Sequence, residues 1–228
     1  MAKFGNGYGS ECHLLRFLGR HREHLNSKVL NAVGYGEQIK WLDFPFNKKN
    51  EVWQDTEWKG LNFLRENKSL QAAWRKFWPH GAGIMNWDAV GSIIDGTSEE
   101  LLLVEAKGNL QEIKSSCAAK QGGGRPKIEA ALTKVKQELN VDPSKDWANS
   151  YYQYCNRVAT LWFLQNQGVP ARLLFVYFTG DKGNARRTCP KNKSEWTAAL
   201  KAQKQHVGLP KEHLLSERIH TIYLPVTG

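Results

Sequence analysis

The sequence predicts a mixed α/β fold, a central mixed sheet flanked by helices, and three observations carry that expectation. Helical and strand-like stretches follow one another in the order helix, strand, strand, strand, helices, strand, helix, strand. Two apolar runs, NWDAVGSIID (86–95) and LLLVEAK (101–107), flank GTSEE as a hairpin would. The run RLLFVYF (172–178) has the continuous apolar character of a strand covered on both faces.

Each element has its own signal. Ser10 is a good N-cap, and Glu11–Val33 reads as one helix with Leu14, Leu18, His21, Leu25 and Val29 on its inward face. A strand is expected over Gln38–Phe46, closed by Pro45 and the polar NKKN. Short helical pieces are expected at Trp58–Glu66 and Ser69–Trp78, the second ending at Pro79 and the glycines beyond it. After the hairpin, a basic, glycine-rich connection leads to an amphipathic helix near Lys127–Asn140. An aromatic-rich helix follows over Asn149–Gln167, ended by Gly168 and Pro170. A helix at Ser194–His206 and a strand at Arg218–Leu224 close the chain. No repeat or long linker divides it, so residues 1–228 read as one domain with a helical, aromatic insertion at about 47–85.

Composition narrows the function classes. The chain of 228 residues carries 32 Lys and Arg against 22 Asp and Glu, a formal charge of +10, which suits a polyanionic partner such as nucleic acid. No apolar run of about 18 residues occurs, which argues against a membrane span. The start, MAKFGNGYGSE, lacks the apolar stretch of a secretory signal. Four cysteines at wide spacings, without a CxxC pair, predict neither a disulfide framework nor a zinc site, and a reducing cytoplasm is the expected setting. The HREH stretch lacks the HExxH order of a metal helix. GNGYG follows no strand, and QGGGRPK lacks the spaced Gly-Lys-Ser/Thr, so neither is a nucleotide fingerprint.

The chemistry concentrates in the hairpin. With Gly96-Thr97 as a two-residue loop, Asp88 stands directly opposite Glu105; an Asp-Gly loop would set it against Leu103 instead. Either register keeps Asp88, Leu103, Glu105 and Lys107 on one face. Two carboxylates about 5 Å apart repel without a counter-charge. A salt bridge to Lys107 would answer that need. So would a hard divalent cation, which prefers carboxylates and phosphate oxygens and would leave Lys107 beside its water and the phosphate.

WDAVGSIIDGTSEELLLVEAKG resembles the D…(D/E)xK signature of the PD-(D/E)XK nuclease superfamily, with its restriction-endonuclease-like αβββαβ core. Trp87 stands where a proline often precedes the first acid. The resemblance implies a Mg²⁺-dependent deoxyribonuclease, with Mn²⁺ as a substitute ion. It implies Asp88, Glu105 and the Ala106 carbonyl as metal ligands, and Lys107 as the catalytic lysine. Many relatives carry an acid on the first helix. Glu11 falls about 60° from Leu14 on the helical wheel, within the apolar face, and Glu23 about 180° away. Glu11 is therefore the candidate, its alternative being a helix-start acid that favours the dipole. Where the exonuclease branch has Gln-x-x-x-Tyr, this chain has Gln153 followed by Arg157, two residues on one helix face that could meet a phosphate. Basic loops add Lys120 and Arg125, and Arg186 and Arg187, as backbone-phosphate contacts. The alternative function is a non-catalytic nucleic-acid-binding module on the same fold. Six of the nine tryptophans lie between Trp41 and Trp87 and are expected to fill an enlarged core rather than to stack on bases. The oligomeric state is left open, a homodimer included.

Overall fold

The computed structural model describes residues 9–44, 46–49, 52–80 and 84–226, with the side chains of 46–49 and 52–55 outside that description. Expectations that rest on residues 5–8, Pro45, the Trp53 side chain, Gly81 and Gly83 therefore lie outside the described residues. The fold is mixed α/β, as the sequence predicts, with six α-helices among the described residues flanking a five-stranded sheet.

Helices α1 (Ser10–Arg20) and α2 (Arg22–Val33) open the chain. The continuous helix expected over 11–33 is broken at His21, whose backbone lies at φ −128 and ψ 34. At the break the Arg22 side chain takes the Leu18 carbonyl at 2.7 Å, the acceptor a continuous helix would offer to the Arg22 amide. Gly19 weakens helical preference just before it. His21 is accordingly exposed and not on the inward face, while Leu14, Leu18, Leu25 and Val29 are buried. Ser10 is the first helical residue; the cap position belongs to Gly9 at φ 95.

Strand β1 (Gln38–Trp41) is shorter than the expected 38–46. The insertion proves to be only partly helical. It holds a hairpin of β2 (Phe46–Lys49) and β3 (Val52–Asp55), then β4 (Trp58–Lys59), a 3₁₀ turn at Asn62–Leu64, α3 (Lys68–Phe77) and β5 (Asn86–Trp87). The helix expected at 58–66 is overridden because Trp58 and Lys59 pair with Trp87 and Asn86. Trp74, Trp78 and Trp87 are buried, and Trp74 stacks on Trp78 and meets Phe163, so these rings fill the core.

The remaining elements are β6 (Ala89–Asp95), β7 (Ser98–Lys107), α4 (Arg125–Glu138), α5 (Tyr152–Asn166), β8 (Ala171–Thr179), α6 (Lys193–Val207) and β9 (Ile219–Pro225). The sheet order is β1-β6-β7-β8-β9, with β1, β6 and β7 an antiparallel meander and β8 and β9 parallel to β7. Asp95 pairs with Ser98 and Ala89 with Val104, so the loop is Gly96-Thr97, Gly96 taking φ 56. That positive φ at the first loop residue suits glycine and favours a tight hairpin. One face of the sheet packs on α1 and α2 through Ile93, Leu102, Val104 and Val176. The other packs on α4, α5 and the insertion through Val90, Leu103, Leu173 and Phe175. Glu105 and Lys107 alternate with Val104 and Ala106 and therefore face α5. Among the described residues no helix is long and apolar enough to cross a membrane.

Candidate functional site

At the carboxyl end of β7 a cleft of about 940 Å³ opens between the insertion and the segment 108–120. Its lining includes Asn86, Asp88, Glu105, Lys107, Gln153 and Arg157. A volume near the upper end of ordinary ligand pockets suits an extended substrate more than a small metabolite.

Asp88 lies at the point where the chain leaves its pairing with β4 and enters the main sheet. Its amide still donates to the Val104 carbonyl at 3.2 Å. Beyond that point the ladder lapses, and the Asp88 carboxylate takes over as acceptor, receiving the Ala106 amide on Oδ2 at 2.6 Å. This bond fixes the side chain toward Glu105 and Lys107. Burial first, and then the neighbouring Glu105 charge, push the Asp88 carboxyl up to about 7 against the pull of Lys107, the Ala106 amide and Arg157.

Glu105 is buried at 2% exposure, which only paired charge can sustain. Lys107 Nζ donates to Oε1 at 2.5 Å. Arg157 Nε donates to Oε2 at 2.7 Å, and Nη2 forms an ion pair with the same oxygen at 2.6 Å. Burial works to raise the Glu105 carboxyl, but Arg157 and Lys107 outweigh it and hold the group below the ordinary glutamate value. Burial likewise opposes the Lys107 charge, and Glu105 and Asp88 outweigh it, so the ammonium is raised above its ordinary value. Lys107 also donates to Gln153 Oε1 at 3.1 Å. Glu105 and Lys107 are both ionised, and Asp88 is poised between its two forms near neutrality.

Arg157 is itself buried, with its guanidinium on Glu105, the Asn86 carbonyl and Asn156 Oδ1 and its Cζ 4.7 Å from the centre of the Trp87 ring. Its place is behind Glu105 rather than at the phosphate-contacting surface expected for it. Gln153 lies in the cleft wall, its amide held by Ser115 Oγ at 2.8 Å.

Glu11 occupies the first turn of α1, half-buried, on the helix that covers the opposite face of the sheet. The α1 start reaches the cleft around the end of β7, and Ser10 lines it. Gly108 permits that approach, since a Cβ there would stand 3.0 Å from the Ser10 amide nitrogen. Glu23, on α2, is exposed. Lys120 and Arg186 are exposed and Arg187 half-buried, while Arg125 opens α4 and binds Glu129 at 2.6 Å and the Cys117 carbonyl at 3.0 Å. The loop carrying Arg186 and Arg187 is tied to the turn after β7 through Leu110 N to Thr188 O at 2.9 Å and Thr188 N to Gln111 Oε1 at 2.8 Å. The loop of Arg186 and Arg187 thus adjoins the turn after β7, but none of Lys120, Arg125, Arg186 and Arg187 lines the cleft.

Sequence reasoning passed over Asn86, Glu57 and Asn156, all of which line the cleft. Asn86 stands two residues before Asp88, a period-2 signal that was available; Glu57 is delivered by an insertion whose strands were not legible.

The residues fit a hard divalent cation by donor chemistry. Asp88 offers an oxygen beyond its bond to Ala106, and Glu105 retains one lone pair on Oε1 beside Lys107. Among the described residues, no three His, Cys, Asp or Glu side chains gather as a ligand set, so the carboxylates alone would supply two positions. Comparison of the chain with protein-family models, curated proteins and solved structures finds no match.

Proposed function

We propose that this chain is a divalent-metal-dependent nuclease that hydrolyses phosphodiester bonds in DNA. The observation that supports the reading most is the convergence of Asp88, at the bend before β6, with Glu105 and Lys107 of β7 in the lining of one large cleft. Mg²⁺, or Mn²⁺ in its place, would be held by Asp88 and Glu105 with the Ala106 carbonyl nearby, and when bound supplies Lewis-acid charge and an activated water.

The chain's own residues do the rest. Arg157 holds the Glu105 carboxylate through the Nε hydrogen bond and the Nη2 ion pair, both on Oε2, so the Oε1 lone pair is aimed without further ordering. Lys107, held between Glu105 and Gln153, presents a fixed ammonium to the phosphate and stabilises the extra negative charge of the pentacoordinate transition state. Lys120, Arg125, Arg186 and Arg187, on segments beyond the cleft lining, would add positive charge suited to a nucleic-acid backbone. The cysteines are free, as a cytoplasmic setting would keep them.

A second reading, a nucleic-acid-binding module without catalysis, is favoured by one observation: Lys107 and Arg157 already neutralise Glu105 with no cation needed. Cleavage of linear, circular and single-stranded DNA in Mg²⁺ separates the two. Activity lost with chelator, with Asp88→Asn and with Lys107→Ala supports the enzyme. DNA binding by the wild type with no cleavage in Mg²⁺ or Mn²⁺ assigns the binding module instead. Neither binding nor cleavage overturns both.

A further inference from the structure

The carboxylates of the proposed site are too few to hold a divalent cation by themselves. Glu105 Oε2 is taken twice by Arg157, Oε1 is shared with Lys107, and Asp88 Oδ2 receives the Ala106 amide. A cation in this cleft needs further hard oxygens from the protein, water or substrate.

Among the described residues, the cleft lining holds one buried side-chain oxygen without a hydrogen-bond partner. Asn86 Oδ1 is buried from water and accepts no hydrogen bond, although the nitrogen of the same amide donates to Glu57 Oε2 at 2.5 Å. A buried amide oxygen left unpaired costs about 1–3 kcal/mol. The amide cannot relieve this by turning over. Glu57, as a carboxylate, only accepts, so it demands the nitrogen end and leaves the oxygen end facing away.

Position links Asn86 to both carboxylates. It lies two residues before Asp88, just ahead of the bend at that residue, and both residues line the cleft. Its backbone carbonyl and Glu105 Oε2 share Arg157 Nη2, at 2.5 and 2.6 Å. Mg²⁺ holds oxygens at about 2.1 Å, closer than water's hydrogen-bond distance, so an oxygen closed to water remains open to a partly dehydrated cation.

We infer that Asn86 Oδ1 is a neutral oxygen ligand for the divalent cation, and that Glu57 is the positioning residue that turns this oxygen toward it. The inference rests on the metal-dependent reading proposed above. It places a residue of the insertion, through Glu57, in control of metal affinity, a role for that segment beyond packing.

The test is Mn²⁺ titration of the chelator-treated protein, read by loss of the free-ion paramagnetic resonance signal and by the metal-induced rise in melting temperature. Asn86→Ala should weaken Mn²⁺ binding about 10-fold or more, and Glu57→Gln should weaken it by a smaller factor, in the range set by ligand-orienting groups. Asn86→Asp should bind Mn²⁺ more tightly than wild type, because a third ligand carboxylate joins Asp88 and Glu105, while melting lower without metal, because it faces Glu57 in place of the amide donor. Should Asn86→Ala fail to fold, Asn86→Asp and Glu57→Gln carry the test. Wild-type Mn²⁺ affinity in all three variants, or weaker binding by Asn86→Asp, overturns the inference. If Asp88→Asn loses Mn²⁺ binding at the same time, the metal-dependent reading survives that failure. No Mn²⁺ binding by the wild type overturns both.

Discussion

In the metal-free protein, replacing Asp88 by Asn should raise stability at neutral pH and leave it unchanged in acid. Burial and the facing Glu105 lift the folded-state carboxyl from 3.8 to about 7, so folding makes this group hold its proton more tightly than the unfolded chain does. The contribution to stability is then fully present below about pH 4 and is lost as pH rises to about 7. About 3 pH units at 1.36 kcal/mol each give a ceiling near 4 kcal/mol. Asp88 is partly exposed at the cleft floor, and water there relaxes the charged form, so about half that ceiling is the working expectation. For a chain of this size, about 2 kcal/mol corresponds to roughly 4–8 °C in melting temperature. The variant keeps the local structure, because an Asn oxygen can accept the Ala106 amide as Asp88 Oδ2 does. The assay is thermal melting in chelator from pH 4 to pH 8 for both proteins. Wild type should lose stability across this interval while the variant loses less, the two curves meeting at the acid end. Parallel curves, or a variant that melts lower at pH 8, would refute the account of Asp88 as a buried, repelled carboxylate. Mg²⁺ should reverse the order, stabilising wild type by mass action and the variant little.

Arg157→Met should destabilise the fold by about 3–5 kcal/mol in urea unfolding, since Glu105 would stay buried with Lys107 as its single partner. Arg157→Lys should recover only part of this, because an ammonium cannot reach Glu105, Asn156 and the Asn86 carbonyl together as the guanidinium does; a loss below about 1 kcal/mol for Met would contradict the ion-pair account. Glu11→Gln should lower DNA turnover with little change in melting, whereas Glu23→Gln, on the exposed side of α2, should leave both unchanged. Equal and negligible effects on turnover would reduce Glu11 to a helix-start acid.

The hairpin was the most legible part of the molecule. A two-residue Gly-Thr loop admits few registers, and strand alternation then puts Asp88, Glu105 and Lys107 on one face before any packing is known. Helices α4, α5 and α6 were legible for a related reason, since their apolar spacing and their glycine or proline stops lie within a few residues of each other along the chain. The insertion was not, because the two-residue strands β4 and β5 carry no periodic signal and exist through pairing across 27 residues of chain. His21 was misplaced for lack of a local mark: its neighbours continue the helical pattern, and the break shows itself only when Arg22 is seen to take the Leu18 carbonyl.

By itself the sequence determined the α/β class, the polar island in the hairpin and the net positive charge of the whole chain. These follow from short-range periodicity, loop length and composition, which need no knowledge of distant neighbours. Only the tertiary structure decided the state of those charges. Arg157, read from its helix face as a phosphate contact, is turned by α5 onto Glu105, and Asp88 is raised to about 7 because the insertion and β7 close over it. Asn86 and Glu57 meet across 29 residues, leaving an oxygen that no spacing rule would single out. Burial and hydrogen-bond geometry are properties of which elements pack together, so the ionisation and aim of a site emerge only when those elements meet.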